Sequence, residues 1–273
     1  MFYLCIETAT NFFNAESFFV RGCYQQPSTV LEIRVSFGQV QPRASIHAVR
    51  TGGAIDMQKF NKLEAFDVFR WERVKGAKLV GKYDMPELKP CIFAEPRNPI
   101  VFHMAKSAKE PQSRWFHFFE DDYQFERIWN RPDAYLQILK RFEGGISPDF
   151  SMYLDMPKAQ QVWNCWRNRA MAYWMQENGL NVIPNACWGD EESLDWAFDG
   201  LPSNSVLALT TQGCMQKTDY RKQILVNGIH ELIRRKHPTK LVAYGHFPDS
   251  WLERFSVPIV TLQTFSEERW CRA

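Results

Sequence analysis

Short apolar runs alternate with helical patterns between about residues 146 and 244 of the chain. The runs, each followed by a small polar or glycine-rich loop, are NVIP (Asn181–Pro184), SVLALTT (Ser205–Thr211) and KLVAYG (Lys240–Gly245). One helical pattern opens at Pro157 and closes at Gly179, and another extends from about residue 219 to residue 236. Strands that alternate with helices predict an α/β domain whose ligand site lies outside the carboxyl ends of the strands.

The pattern predicts a Rossmann-like, mostly parallel sheet with flanking helices. VPIVTL (Val257–Leu262) is typical of an edge strand, since Pro258 cannot donate to a ladder. A barrel-like closure is the alternative, because these strands and earlier ones could curl. Residues 1–80 are expected to form a small β-containing N-terminal segment, with a hairpin of residues 29–37 and 44–50. Residues 81–273 then form the α/β core domain.

Ordered motifs cover about three fifths of the chain, from Lys82 to Gly245. They are KYDMPELKP, HFFEDDYQFERIWN, SPDFSMYLDMP, the WN and RNRA segments of the long helix, WGDEES, DWAFDGLP with NSVLALTTQGC, and LVAYG. In this order they resemble the signatures of the DUF4417 family, which occurs in bacteria and in their phages and other mobile elements. The resemblance implies a phage or mobile-element setting and no particular reaction.

Composition narrows the class of protein without identifying a partner. A net charge of +2 is too balanced to indicate nucleic-acid binding by itself, so only a local patch could do so. The seven cysteines form no CxxC pair, which favours a reduced, cytoplasmic setting over a disulfide framework. No run approaches the roughly 18 apolar residues of a membrane span. Aromatic residues make up 15%, which indicates an aromatic-rich core or a platform for bases or sugars.

The segment from Lys217 to Lys240 has the clearest charge bias in the chain. Its ordinary interpretation is a solvated helix face with cations at its C-terminal end. The alternative is a strip that contacts the phosphate backbone of a nucleic acid. The residues predicted to make these nucleic-acid contacts are Lys217, Arg221, Lys222, Arg234, Arg235 and Lys236.

Two carboxylates and one arginine are the predicted catalytic residues. Asp149 and Asp190 both follow strands, and two converging carboxylates could hold Mg²⁺ with water and a substrate phosphate. The simpler interpretation makes Asp190 the N-cap of the next helix. Arg169 lies beside the apolar face of the long helix, so we expect it to pair with Asp149 or Asp155, or to grip a phosphate. The cofactor is otherwise unknown.

Loops after four successive strands predict the ligand site. If the strands are parallel, these loops meet at one edge of the sheet and can form one site. If NVIP and SVLALTT run antiparallel, the loops lie at opposite ends and form no common site. A Cys187–His246 or Cys214–His246 nucleophile is geometrically allowed, although a buried cysteine is more often a small hydrophobe. The histidines lack zinc spacing, so no metal ligands are predicted. The expected ligand-binding residues are Ser151, Arg167, Trp188, Thr211, Gly213 and Gly245, with Asp190 among them.

Three functions therefore stay open. The first is a mobile-element or phage protein that binds nucleic acid or a nucleotide-like phosphate ligand at the carboxyl ends of its sheet. The second is a Mg²⁺-dependent, phosphate-directed hydrolase or transferase. The third is a factor that acts by binding a host protein. No membrane partner is expected, and the pattern says nothing of the oligomeric state.

Overall fold

The apolar runs of the sequence form parallel strands in the computed structural model, which describes residues 70–91, 94–214 and 218–264. The predicted N-terminal hairpin lies outside these residues. The strands are β1 (Leu79–Val80), β2 (Met85–Pro86), β3 (Ile100–Val101), β4 (Trp115–His117), β5 (Gly144–Ile146), β6 (Val182–Ile183), β7 (Val206–Thr210), β8 (Lys240–Tyr244) and β9 (Ile259–Leu262).

Helices occupy most of the connections between the strands. The α-helices are α1 (Asp122–Asn130), α2 (Asp133–Leu139), α3 (Lys158–Glu177), α4 (Asp219–Lys236) and α5 (Asp249–Leu252). Short 3-10 helices cover Trp71–Val74, Phe102–Ser107, Pro111–Ser113 and Glu191–Asp195. Within the described ranges, no helix is both long enough and apolar enough to cross a membrane.

Strands β3 to β9 are all parallel and follow one another in chain order. One sheet has the order β3-β4-β5-β6 and another has the order β7-β8-β9, while β1 and β2 form a separate antiparallel pair. A parallel bridge between Asn185 and Ala208 joins the two parallel sheets. At this bridge the Ala208 N–H donates to the Pro184 carbonyl at 2.9 Å. The prediction that NVIP and SVLALTT run parallel is confirmed.

Both faces of the parallel strands are buried, because apolar side chains point alternately to two cores. Leu207 and Leu241 belong to the core that packs under the helices. Their neighbours Ala208 and Val242 belong to a second core on the other face. Strands that are buried on both faces have continuous apolar sequences, as these strands do. The second core contains Trp115, Phe119, Ile146, Ile183, Ala208, Val242, Tyr244 and Leu262.

The sheet curls so that distant strands face each other. The ring centroids of His117 on β4 and Tyr244 on β8 are 4.4 Å apart. In a flat sheet, strands four places apart would be separated by about 19 Å. The α/β class, with its parallel strands and flanking helices, is confirmed. The sequential strand order and this contact across the inner face correspond to the barrel-like alternative.

Glycines on β5 allow the aromatic side chains of β4 to pack closely over it. A Cβ on Gly144 would lie 2.6 Å from the Trp115 ring, and one on Gly145 would lie 2.2 Å from the Phe116 ring. Trp115 points to the inner core and Phe116 to the helical side. The bulk of β4 therefore fills both faces of the sheet beside β5, just before the polar residues that follow β5.

Candidate functional site

Polar side chains meet where β4, β5 and β6 end. Asp122 begins α1 after β4, Ser147 and Asp149 follow β5, and Asn185 follows β6. Because these strands are parallel, their carboxyl ends lie at one edge of the sheet. This is the edge at which ligands bind in α/β folds. We call the group Asp122, Asp149 and Asn185 the polar triad.

Asn185 connects Asp149 and Ser147 by hydrogen bonds. Its Nδ2 donates to the Asp149 Oδ1 at 2.7 Å, and its backbone N–H donates to the Ser147 Oγ at 2.8 Å. Asn185 is only 1% exposed. Among the described residues, its buried Oδ1 accepts no hydrogen bond. A buried acceptor of this kind is costly unless a partner satisfies it, so it indicates a place for a donor.

The environment of Asp149 favours the protonated carboxyl. Burial, together with a smaller contribution from the negative charge of Asp122, raises the pKa of Asp149 to about 6. Hydrogen bonds from Asn185 and from the Cys187 thiol act in the opposite direction. An acid with a pKa near neutral exchanges protons readily at physiological pH. Asp149 is thus suited to accept or to donate a proton.

Asp122 is fixed by Ser151, one of the predicted ligand residues. The Ser151 hydroxyl donates to Asp122 Oδ1 at 2.8 Å, and its backbone N–H lies 3.2 Å from both carboxylate oxygens. The Ser151 carbonyl in turn accepts from Asn164. Arg167 donates to Asn164 and Glu126, and its guanidinium lies 3.8 Å above the Phe150 ring. Arg167 supports this loop, and its predicted ligand contact stays a prediction.

Cys187 contributes a thiol rather than a thiolate. Burial raises the pKa of Cys187 well above its ordinary value, and the Asp149 charge raises it further. Since the thiolate is the nucleophilic form, this environment disfavours nucleophilic catalysis by Cys187. The thiol instead donates to the Phe150 carbonyl at 3.9 Å and to the Met152 sulfur at 3.3 Å.

Two further histidines belong to the segment after β3 and to β4 itself. Glu120 accepts from the backbone N–H of His103 at 3.1 Å and also bonds the ring Nδ1 of His103. His117 is buried, and burial lowers its pKa to about 3, with a smaller contribution from His103. The Phe119 N–H donates to Nδ1 of His117, which fits a neutral ring. Neither histidine was among the predicted site residues; their positions after β3 and within β4 are the signal that the sequence offers for them.

Arg169 does not pair with a carboxylate. The residue is 1% exposed, and its guanidinium donates to the backbone carbonyls of Asn185, Ala197 and Asp199 at 2.6–3.0 Å. The prediction of an ion pair with Asp149 or Asp155 is therefore wrong. The three hydrogen bonds to carbonyl oxygens offset the free-energy cost of burying the guanidinium. They also connect α3 to the segments after β6.

Asp190 acts as a helix cap. Its side chain accepts from the Ser193 N–H at 3.1 Å, and it forms an ion pair with Lys158. The carboxylate that interacts with Asp149 is Asp122, so the expected pairing of Asp149 with Asp190 is corrected. In the part of the chain that the structure describes, no three His, Cys, Asp or Glu residues are grouped to hold a metal ion. Asp122 and Asp149 are the two carboxylates of this site that could bind a cation.

The remaining predicted ligand residues lie in loops at the same edge. Trp188 donates to the Ile224 carbonyl at 3.3 Å and packs so closely on Gly228 that a Cβ there would meet its ring at 2.1 Å. Thr211 donates to the His246 carbonyl at 2.9 Å and thus joins the ends of β7 and β8 beside Gly245. Gly213 has a positive φ of 76° and open space around it. Trp188 and Thr211 hold the structure at this edge.

The basic helix does not present a continuous cationic strip. Arg235 donates to the Leu194 carbonyl and forms an ion pair with Asp199, while Lys236 donates to the Leu201 carbonyl. These contacts direct both charges toward the protein, and the phosphate contacts predicted for Arg235 and Lys236 stay predictions. Ion pairs also join Arg234 to Glu231 and Lys222 to Asp219. Arg221 is partly exposed. Lys217 lies outside the described residues.

Comparison with known proteins gives a family match over most of the described chain. The model of a family described as a domain of unknown function, DUF4417, matches residues 77–263. The Gene 1 protein of Mycobacterium phage L5 is 38% identical over 168 residues, which cover 60% of this chain and 71% of that protein. The Gene 1 protein of Mycobacterium phage D29 is 35% identical over 166 residues, covering 60% of each. No solved structure matches.

Proposed function

The chain belongs to the DUF4417 family, and from this premise we propose that it binds a nucleotide-like phosphate ligand, free or within a nucleic acid. The site is the carboxyl edge of the parallel strands, centred on the polar triad. The observation that carries the proposal is the contact of Asn185 with Asp149, which leaves a buried Asn185 acceptor beside a carboxyl. Similarity to two phage proteins supports a phage or mobile-element setting.

The chemistry of the polar triad suits a ligand that carries N–H donors. Asp149 and Asn185 together supply carboxyl and amide oxygens at one place. Bases present ring and exocyclic N–H groups, and Asp or Asn side chains are their usual partners. The hydrocarbon chain of a lipid has no donor for these oxygens, and against it an unpaired buried acceptor would remain. This argument favours a polar, flat ligand.

A second candidate function is a Mg²⁺-dependent, phosphate-directed hydrolase or transferase. The observation that favours it is the presence of two carboxylates, Asp122 and Asp149, at one edge of the sheet. Burial chiefly raises the pKa of Asp149, and repulsion from the Asp122 carboxylate adds to this rise. A divalent cation between the two carboxylates would relieve this repulsion. Mg²⁺ prefers one or two carboxylates and fills its remaining positions with water and substrate phosphate. In this candidate Asp122 takes the role that the sequence suggested for Asp190.

Titration with nucleotides tests the proposal. Calorimetry with ribo- and deoxynucleoside mono- and triphosphates, with and without Mg²⁺, measures binding to the wild-type chain and to Asp149→Asn. We expect Asp149→Asn to weaken binding at least tenfold, about 1.4 kcal/mol. Asp155→Asn changes an exposed acid on the loop after β5 and is the matched control. Binding that is equal in all three proteins would contradict the assigned site.

The form of the ligand is decided by a second measurement. Fluorescence anisotropy with single- and double-stranded DNA at several salt concentrations separates a free nucleotide from a nucleic acid. A steep fall of affinity with salt would indicate several phosphate contacts. No binding of nucleotide or nucleic acid, with nuclease-resistant capture of one host protein, would instead favour the host-interaction function.

A further inference from the structure

We propose that the free edge of β9 is a self-association surface, to which a second copy of the chain adds its own β9 as an antiparallel strand. This inference concerns a different part of the fold from the polar triad, which follows β4, β5 and β6. It therefore goes beyond the proposed function and does not depend on it.

Strand β9 is hydrogen-bonded along one of its edges. The Leu241 N–H donates to the Pro258 carbonyl at 2.9 Å, and the Gly245 N–H donates to the Leu262 carbonyl at 3.0 Å. Successive residues of a strand direct their backbone groups to opposite edges, so those of Ile259 and Thr261 point away from β8. No strand in the described ranges pairs with that edge, and the curled sheet stays open between β9 and β3.

An exposed apolar side chain lies at the open edge. Val260 is opposite Val242 on β8, and Leu262 is opposite Tyr244. Opposite residues share a face of the sheet, and Val242, Tyr244 and Leu262 all belong to the second core, so Val260 points to the same side. Leu262 is 8% exposed, whereas Val260 is 42% exposed. The inner face is thus covered at Leu262 and uncovered at Val260, where a further strand would cover it.

The sequence of β9 lacks the features that usually keep an edge strand from pairing. Residues 256–264 read SVPIVTLQT and contain no charged side chain. Edge strands are commonly protected by lysine, by proline or by a bulge. Pro258 does not protect this edge, because its backbone faces β8. The free edge therefore combines unpaired peptide groups with an uncharged surface.

A second β9 complements this edge. Two strands related by a twofold axis are antiparallel, and their pairing uses the β9 edge of both copies, so it closes at two chains. Identical strands bring the same side chains together, and a run without charges brings no like-charge repulsion. When Thr261 lies opposite Thr261 of the second copy, Val260 lies opposite Leu262 of that copy on the inner face. This register covers the exposed valine with an aliphatic side chain.

The size of the contact predicts a weak dimer. An interface of standard size buries about 800 Å² on each partner. A strand of four residues with its immediate neighbours buries less than this. We therefore expect a dissociation constant on the order of 10 µM, measured on the full chain by sedimentation velocity over a series of concentrations.

Thr261→Pro tests the role of the free edge. Proline removes the N–H that points away from β8 and keeps the bonds between β8 and β9, so the monomer should stay folded. We expect the dissociation constant to rise at least tenfold, which corresponds to about 1.4 kcal/mol. Circular dichroism and melting curves check that the fold is kept.

Val260→Lys tests the same edge by charge, with Tyr220→Lys as its matched control. Lysine at 260 would bring a charge onto the apolar contact with Leu262 of the second copy, so we expect a monomer at every concentration. Tyr220 is an exposed aromatic residue on α4, and its replacement by lysine should leave the association unchanged. A wild-type chain that stays monomeric, or a dimer that persists in both β9 variants, would overturn the proposal.

Hydrogen exchange distinguishes a second copy from a segment of the same chain. In the proposed dimer the amide of Thr261 is protected from exchange, and this protection falls when the protein is diluted. Protection that does not depend on concentration would mean that the chain covers its own β9 edge, and it would overturn the proposal. Rapid exchange at concentrations where the chain sediments as a dimer would place the interface elsewhere and overturn it as well.

Discussion

Arg169 donates from Nη1 to the backbone carbonyl of Asn185 at 3.0 Å, and Asn185 is the residue whose side chain holds Asp149. The guanidinium thus supports the polar triad through the backbone of Asn185. Its two other contacts, to the carbonyls of Ala197 and Asp199, anchor it to the segment before β7. An arginine that looks catalytic in the sequence therefore acts on the site through the backbone.

Replacement of Arg169 should destabilise the fold strongly. Arg169→Ala would leave three carbonyl oxygens without their donor, and each unsatisfied buried group costs about 1–3 kcal/mol. We expect a total loss of about 3–5 kcal/mol, measured by urea denaturation. Arg167→Ala is the comparison: Arg167 pairs with Glu126, whose side chain is 41% exposed and would be hydrated after the change. Equal losses for the two variants would show that the three carbonyl contacts carry no special weight.

Asp149→Asn should be more stable than the wild-type chain above pH 6. The folded pKa of Asp149, about 6, exceeds the value of 3.8 for an unperturbed aspartate. The folded state therefore holds the proton more tightly, and the wild-type chain loses stability as pH rises from about 4 through 6. Because Asp149 as a residue is only partly buried, the gain should be on the order of 1–2 kcal/mol at pH 8. Melting curves at pH 5 and pH 8 measure it, and a difference that is the same at both pH values would contradict the assignment.

His117 should make the protein sensitive to acid. Its folded pKa of about 3 lies below the ordinary value of 6.5, so the unfolded chain binds the proton first as pH falls. The stability from the neutral ring is complete above pH 6.5 and is lost at about 1.4 kcal/mol per pH unit below it. In His117→Asn, whose amide oxygen can still accept from the Phe119 N–H, denaturation midpoints between pH 6.5 and 4.5 should fall less steeply. A slope identical to the wild type would argue against a buried neutral His117.

Gly145→Ala should destabilise the sheet by steric overlap. The new methyl group would lie 2.2 Å from the Phe116 ring, which is itself buried. Moving this ring in a packed core costs about 1–3 kcal/mol. Gly145→Ala combined with Phe116→Leu should recover part of the loss, because leucine has no ring at this position. If the double variant is less stable than the sum of the two single changes predicts, the overlap is not the cause.

The parts of the fold that follow from local pattern could be predicted from the sequence. The runs at Val206–Thr210 and Lys240–Tyr244 are apolar at nearly every position. This pattern is typical of strands that are buried on both faces. The position of Asp149 after a strand likewise followed from the order of elements. These features depend on neighbours along the chain, which the sequence displays directly.

The parts that depend on distant pairing could not be predicted in this way. Nothing in the spacing of His117 and Tyr244 indicates that their rings touch, because this contact depends on how far the sheet curls. The acceptors of Arg169 are backbone carbonyls, which every residue carries and no motif marks. Asp122 and Asp190 both begin helices, and only the three-dimensional fold brings the charge of Asp122 near Asp149 while Asp190 caps its helix.

The sequential order of the parallel strands has a consequence for how this chain is made. Each strand from β4 to β9 pairs with the strand that left the ribosome immediately before it. A growing chain can therefore add one strand and one helix at a time to an edge that already exists, without waiting for a later segment to be inserted between earlier ones. The residues that form the polar triad come from the first half of this series. They are therefore translated before α4 and β8, and the later arrival of β8 completes the inner core shared by β4, β5 and β6.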